Sequence, residues 1–370
     1  MSLRMINSVI ANRSIATYCP HCGRRLKGIE SNAEHIFPKW LQRHHQLLIR
    51  RLTIPNFLGK SYKSVTVTVC ARCNNARFGQ LENVISKAVR TADPFESFAE
   101  LPGEAIALWL GKIFWLLCQK SHSVQDYKTR TAPKPEQILP EELMSGIAYL
   151  GVFERAFANN KSMLSCYLTD PPLTEFYNAP YSLYRFKIAE DENFEHFDYL
   201  DSPIVLGVAS RTGNVGFVCM FDGGLHQRFR SHRFANLVTE TLHPMQFSEV
   251  AARIFFDQTV LDERAAQVTY YWNPDRRAVI AKTLSPRFYN PYLQDNFDPK
   301  LLAQFMGRFT QSDPNTLLVG DREFTRLWDE NGDFLPYAVT PEDIEAAQSN
   351  PNRTVIGPDD PKWRTAPPKE

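Results

Sequence analysis

The chain has 370 residues, of which 43% are apolar, 22% charged and 12% aromatic. This length suits two or three domains with a sizeable core, and this composition excludes a mainly disordered chain, a collagen and a disulfide-rich miniprotein. The N-terminal residues show no secretion signal, and no apolar run reaches the roughly 20 residues of a membrane span. We therefore expect a cytoplasmic protein without a membrane segment.

Charge is distributed unevenly, although the formal net charge is only +1. Residues 1–93 contain 15 Lys and Arg residues against 4 Asp and Glu residues, a net charge of +11, whereas the remainder carries −10. Such an asymmetry predicts that the first ninety residues face a polyanion. The alternative is a basic face that docks on the acidic remainder of the same chain.

Four of the seven cysteines form two Cys-x-x-Cys pairs, Cys19 with Cys22 and Cys70 with Cys73. Two intervening residues let both sulfurs of a pair converge on one ion. In a chain without a secretion signal, this pattern favours a tetrahedral, structural Zn²⁺ with no open position. A pair of redox dithiols is the alternative. His21 lies inside the first pair and is expected to be a bystander.

Between the two pairs, the segment SNAEHIFPKWL (31–41) sets Glu34 beside His35 among apolar side chains. Further on, SVTVTV (64–69) alternates polar and β-branched apolar residues, which predicts a strand. Apolar residues at helical spacing follow the second cysteine pair. That pair is therefore expected where a strand leads into a helix, and zinc would join this helix start to the first pair.

These residues together resemble the HNH endonuclease family in its zinc-stapled form. The shared pattern is Cys-x-x-Cys, then Glu34-His35-Ile36-x-Pro38, then Cys-x-x-Cys followed by Asn74, and it covers about residues 15–90. The resemblance implies a ββα-metal core of the treble-clef type. It also implies structural Zn²⁺, catalytic Mg²⁺ or Mn²⁺, and hydrolysis of phosphodiester bonds, in double-stranded DNA rather than RNA. The middle asparagine of the family has no assigned counterpart.

The resemblance gives each polar residue of the motif a role. His35 would be the general base, because the pKa of a histidine lies near neutral pH. Glu34 and Asn74 would be ligands of the catalytic Mg²⁺ or Mn²⁺, which prefers oxygen, with Asn75 and Glu82 as further candidates. Basic residues between the motif and the second cysteine pair are predicted to contact nucleic-acid phosphates: Arg43, Arg50, Arg51, Lys60 and Lys63.

A rival hypothesis from another class is a non-catalytic, zinc-stapled nucleic-acid-binding module. The sequence replaces the family's usual Asp with Glu34, and it lacks the middle asparagine. Both departures favour the rival. Cleavage of plasmid DNA would separate the two hypotheses.

The remaining sequence predicts a larger α+β domain with antiparallel strands, so the expected fold class is α+β throughout. We place the HNH-like module at 1–93, the second domain at 94–340 and a proline-rich, loosely ordered tail at 341–370. The apolar run 105–118 contains Lys112 and predicts a buried helix, and hairpins are predicted around 211–214 and 273–276. No motif indicates a role for this part, which could bind a regulatory ligand or a protein partner. By analogy of layout alone, a microbial defence effector is one possibility.

Overall fold

A computed structural model gives the structure of the protein. It describes residues 18–54, 57–122, 141–168, 175–192, 194–261, 268–284, 298–310, 312–319, 322–323, 325–329 and 331–337. The predicted tail at 341–370 lies outside the described residues. The described part is a mixed α+β structure with antiparallel sheets, which confirms the predicted fold class.

The elements of the described part follow in chain order. The α-helices are α1 (Lys39–His44), α2 (Gly79–Val89), α3 (Pro94–Ala99), α4 (Gly103–His122), α5 (Glu141–Ala158), α6 (Leu225–Arg230), α7 (Pro244–Thr259) and α8 (Pro299–Thr310). The strands are β1 (Ser31–His35), β2 (Arg51–Ile54), β3 (Phe57–Ser61), β4 (Thr66–Cys70), β5 (Ser162–Leu168), β6 (Glu175–Asn178), β7 (Ser182–Ile188), β8 (Phe197–Ser202), β9 (Gly207–Thr212), β10 (Val215–Met220), β11 (Thr241–Leu242), β12 (Val268–Asn273), β13 (Ala278–Leu284), β14 (Leu318–Val319) and β15 (Arg322–Glu323).

Strands β1 and β4 form the antiparallel hairpin of the N-terminal part, and a helix follows directly. Apolar and polar residues alternate along β4, so that its apolar side chains share one face. Val67 and Val69 are buried on that face, whereas Thr68 is exposed. A π-helical segment, Arg72–Phe78, begins two residues after Cys70 and continues into α2. The order of strand and helix around the second cysteine pair is therefore the one that its residues predict, and β1 adds a second strand beside β4.

Helix α4 is the buried helix that the apolar run predicts. Trp109, Lys112 and Phe114 are all fully or almost fully buried on it. None of the helices in the described part of the chain combines the length and the apolar character that a bilayer crossing requires. Lys112, the single charged residue of the apolar run 105–118, must find a negative partner within the protein, because an isolated buried charge is strongly disfavoured.

A five-stranded sheet in the order β11-β7-β10-β9-β8 forms the centre of the second half. Both predicted hairpins are confirmed, with β9 paired to β10 across Gly213 and β12 paired to β13. Strands β9 and β10 are buried on both faces. Phe217 and Phe221 of this central hairpin pack in the core shared with α4, and Val218 packs in the core shared with α7. A second sheet has the order β12-β13-β5-β6.

One hydrophobic core passes from the cysteine pairs into the rest of the chain. It includes Cys19, Phe78 of the segment before α2, Trp115 of α4, Phe153 of α5 and Phe217 of the central sheet. The predicted boundary at residue 93 stays a prediction about folding units. The structure adds that apolar packing continues across that position.

Candidate functional site

The four cysteines of the two pairs form one compact cluster. Their Sγ atoms all lie within 4.8 Å of one another, and those of Cys22 and Cys70 are 3.8 Å apart. A tetrahedral Zn²⁺ with Zn–S distances of about 2.3 Å places its sulfur ligands about 3.8 Å apart. The geometry of the cluster therefore fits a structural metal ion such as zinc, held by Cys19, Cys22, Cys70 and Cys73.

A tight turn prepares the first cysteine pair for this arrangement. The amide of Gly23 donates to the carbonyl of Cys19 at 2.8 Å, and the amide of Cys19 donates to the carbonyl of Arg24 at 2.8 Å. Gly23 has a φ of 73°, in the left-handed region that favours glycine. The amide of Cys70 also donates to Sγ of Cys19 at 3.5 Å. Hydrogen bonds thus link the turn at the first cysteine pair to the start of the second pair without a metal ion.

Glu34 lies inside the protein and is held by two cations. Its side chain is 4% exposed, and Oε2 accepts a hydrogen bond from Nε2 of His21 at 3.1 Å. Oε1 forms an ion pair with Nζ of Lys112, which reaches in from α4 and is itself 0% exposed. The same ammonium also pairs with Oε1 of Glu82 on α2. Lys112 therefore joins the strand and the helix of the ββα unit to the rest of the protein.

His21 is a bridge rather than a bystander. Nδ1 faces Oε2 of Glu154 at 3.2 Å, while Nε2 faces Glu34, and the ring packs on Phe78 with centroids 4.1 Å apart. Burial lowers the pKa of His21, but the two carboxylates outweigh burial and raise that pKa to about 9. The imidazole is therefore charged near neutral pH, and both of its N–H groups donate.

The carboxylates of this network respond in different ways. Burial raises the pKa of Glu34, but the charge of Lys112 and the hydrogen bond from His21 outweigh it and bring the pKa down to about 2. The pKa values of Glu82 and Glu154 are raised, chiefly by burial. Three carboxylates thus share two cations in a nearly dry interior. Removing one member of such a network typically costs about 3–5 kcal/mol.

A Mg²⁺ or Mn²⁺ ion on Glu34 does not fit this arrangement. A divalent ion would need carboxylate oxygens at about 2.0–2.1 Å, but both oxygens of Glu34 already face Lys112 and His21. Asn74, the second predicted ligand, donates its Nδ2–H to Oδ1 of Asn32 at 2.8 Å. Asn32 and Glu34 are two residues apart on β1 and share a strand face. Each predicted ligand therefore already has a partner within the protein, Glu34 with Lys112 and Asn74 with Asn32.

His35 lies on the other side of the strand from Glu34. Neighbouring side chains of a β-strand point to opposite faces, and His35 is paired with Thr66 at the end of β1. It is half-buried, and its Nδ1 is buried without a hydrogen-bond partner among the described residues. Burial and the charge of Lys39 lower the pKa of His35, against a hydrogen bond with the Lys63 backbone. The imidazole is therefore neutral at pH 7, but it does not form one site with Glu34.

The predicted phosphate-binding residues differ in their surroundings. Arg43 and Lys63 are exposed. Arg50 forms an ion pair with Glu195, which precedes β8. The side chains of Arg51 and Lys60 lie outside the described part of the chain, although their backbones pair in β2 and β3. Asn75, Lys39, Arg72 and the turn residues Arg24, Arg25 and Lys27 are also exposed near the motif.

The segment around α1 packs on the central sheet. Nε2 of His45 lies 2.7 Å from Oγ1 of Thr212, and its ring stacks on Phe197. Phe37 of the motif packs edge-on against Tyr199 and Phe197. The segment that follows His35 is therefore held against the central sheet.

Sequence reasoning missed the partners of Glu34. Lys112 was visible as the single charge in an apolar run, and a buried lysine requires a carboxylate partner. Its partner cannot be named from the sequence, because any buried Asp or Glu would serve. Glu154 lies 133 residues from His21 in the chain, and no local pattern connects these two positions.

Comparison of the chain with protein families, with curated proteins and with solved structures finds no match. The function is therefore inferred from the motif and from its geometry in this structure. The relevant observations are the cysteine cluster, the hairpin-and-helix unit, the paired state of Glu34 and the neutral His35.

Proposed function

We propose that this protein is an HNH-type endonuclease that hydrolyses phosphodiester bonds in nucleic acid, with double-stranded DNA as the preferred substrate. The observation that supports it best is the order of parts: the β1–β4 hairpin is followed by a helix, and the cysteine cluster lies at their junction. His35 lies at the end of β1, and Asn74 lies at the start of the helix against Asn32. The position of Asn74 at the start of the helix is the one that the resemblance implies for the last residue of the motif.

The proposed chemistry begins with the neutral imidazole of His35. It accepts a proton from a water molecule as the oxygen of that water bonds to phosphorus and the bond to the leaving 3′ oxygen breaks, and this 3′ oxygen takes up a proton from solvent water. A base with a lowered pKa is unprotonated at neutral pH and is available for this step. The half-buried position of His35, on a segment anchored by Phe37, would hold the ring in a constant orientation.

Exposed basic residues around the motif would position the substrate. Arg43 and Lys63 are free of acidic partners among the described residues, and Lys39 and Arg72 are exposed nearby. Contacts of this kind hold the phosphate backbone without reading base sequence. We therefore expect binding that is independent of sequence and that weakens steeply as salt rises.

The second candidate is the non-catalytic, zinc-stapled binding module. The paired state of Glu34 favours it, because a carboxylate held by Lys112 and His21 is not available to a Mg²⁺ or Mn²⁺ ion. The basic surface would then serve for binding alone. Both candidates predict the same salt-dependent affinity, so affinity does not separate them.

A cleavage assay on the full chain separates the two candidates. Supercoiled plasmid is incubated with zinc-loaded protein and with MgCl₂, with MnCl₂ or with neither, while binding is followed by gel shift. Nicked or linear plasmid in any of these conditions supports the endonuclease. Binding without cleavage in all three conditions supports the non-catalytic module, and neither binding nor cleavage contradicts both.

A further inference from the structure

The ion pairs of Lys112 have an uncommon geometry. One ammonium is shared by two carboxylates that come from different elements, Glu34 from strand β1 and Glu82 from helix α2. The ammonium itself comes from α4, beyond the hairpin-and-helix unit. The side chain of Lys112 is fully buried, and the side chain of Glu82 is 20% exposed. The three groups therefore meet at the inner edge of the unit, with Glu82 towards solvent.

We propose that Glu34 and Glu82 form a cation site whose resident occupant is the ammonium of Lys112. The lysine excludes divalent ions from this site, so the zinc-loaded protein holds no second metal ion there. This inference concerns ion binding and does not require that the protein cleaves nucleic acid. It explains why the predicted catalytic-metal ligand Glu34 is found already neutralised.

Charge and space both make the two occupants mutually exclusive. The ammonium and a divalent ion would need the same two oxygens, Oε1 of Glu34 and Oε1 of Glu82. Two carboxylates brought together in a dry interior repel each other strongly unless a cation lies between them. The site is therefore built to hold positive charge, and oxygen ligands of this type suit Mg²⁺ or Mn²⁺ when the lysine is absent.

The surroundings hold the ammonium in place. Nζ of Lys112 lies 5.7 Å from the centroid of the Phe78 ring, in reach of a cation–π contact. His21 binds the second oxygen of Glu34, which fixes the direction of the first. Helix α4 is one of the most buried helices in the described residues, so the lysine stem cannot swing into solvent without unpacking that helix.

The inference is tested by replacing the ammonium with an uncharged group of similar shape, Lys112→Met. Zinc-loaded wild-type and variant proteins are titrated with MnCl₂, free Mn²⁺ is measured by electron paramagnetic resonance, and melting temperatures are recorded with and without MnCl₂. Wild type should retain no Mn²⁺ at this site. Lys112→Met should bind one Mn²⁺ per chain at least about tenfold more tightly than wild type, and its melting temperature should rise on adding Mn²⁺.

The double variant Lys112→Met/Glu82→Gln is the matched control, and it should lose both the binding and the rise in melting temperature. If Lys112→Met is too unstable to isolate alone, Mn²⁺ during refolding should recover it. Three results would overturn the inference. The first is Mn²⁺ binding by wild type that disappears in Glu34→Gln. The second is a folded Lys112→Met that binds Mn²⁺ no better than wild type. The third is a Lys112→Met chain that does not fold alone and that Mn²⁺ does not recover during refolding.

Discussion

Loss of the metal cluster is expected to destabilise far more than the two cysteine turns. Cys73→Ser removes one of four sulfur ligands from a cluster whose Sγ atoms lie within 4.8 Å of one another. Structural zinc contributes apparent binding free energies of roughly 10–16 kcal/mol in small modules. The net stability of a whole domain is about 5–15 kcal/mol. Loss of this ion is therefore large enough to unfold the region that it joins.

The structure indicates how the loss would spread. The indole N–H of Trp115 on α4 donates to the carbonyl of Pro20, inside the first cysteine turn, at 3.1 Å. Cys19 and Phe78 belong to the same core as Trp115. If the turn opens, the buried face of α4 loses both its hydrogen bond and its apolar cover. We expect the variant to melt at least 10 °C below wild type, since even about 2–3 kcal/mol shifts the melting temperature by several degrees.

The assay combines zinc content by mass spectrometry, tryptophan emission and thermal melting. Cys73→Ser should bind less than one zinc per chain, emit at longer wavelength and melt early. Cys118→Ala is the matched control, because Cys118 is a buried cysteine of α4 outside the cluster; it should keep its zinc. The reasoning is refuted if zinc-free wild type keeps the emission and melting temperature of the zinc-loaded protein.

Three further predictions follow from the same geometry. Glu154→Ala should lower the free energy of unfolding, measured in urea, by about 3–5 kcal/mol, because it leaves His21 with one carboxylate partner. A decrease below about 1 kcal/mol contradicts a stabilising role for the network. Burial lowers the pKa of His45 to about 3. Below pH ~6.5 the unfolded chain therefore binds a proton at this histidine that the folded chain does not bind. The free energy of unfolding should fall by about 2 kcal/mol between pH 6.5 and 5. His45→Gln should remove that difference, and equal pH dependence of the two proteins contradicts it. Lys63→Gln should reduce the salt dependence of DNA binding by about one phosphate contact, whereas Arg50→Gln, already paired with Glu195, should not; equal effects contradict the assignment.

Local patterns in the sequence were sufficient to predict several helices and strands and the cysteine cluster. Alternation in 64–69 and the apolar run in 105–118 depend on neighbours a few residues away, so periodicity alone predicts a strand and a helix there. Turn residues at 211–214 and 273–276 predict hairpins for the same reason. The spacing of the cysteine pairs predicts a metal site directly, since only a few ions accept four thiolates.

The state of the Glu34 carboxylate was beyond such patterns. The partners of this carboxylate, Lys112 and His21, come from other parts of the chain. Their contacts with Glu34 depend on how α4 packs against the hairpin. The sequence also treats Glu34 and His35 as one pair because they are adjacent. In a strand, the side chains of adjacent residues point to opposite faces. Residues 31–35 show no clear alternation of apolar and polar residues, so the sequence does not reveal this strand in advance.

Plasmid cleavage by wild type, His35→Ala and His44→Ala tests the proposed function most directly. His44 is an exposed histidine on α1 and serves as the matched control. Wild type and His44→Ala should cut at the same rate, and the rate should rise with pH and reach half its maximum below pH ~6.5, since the pKa of His35 is lowered. His35→Ala should cut about 10²–10⁴-fold more slowly, with unchanged zinc content, DNA binding and melting temperature. Cleavage by His35→Ala at the wild-type rate would contradict the assignment of His35 as the base.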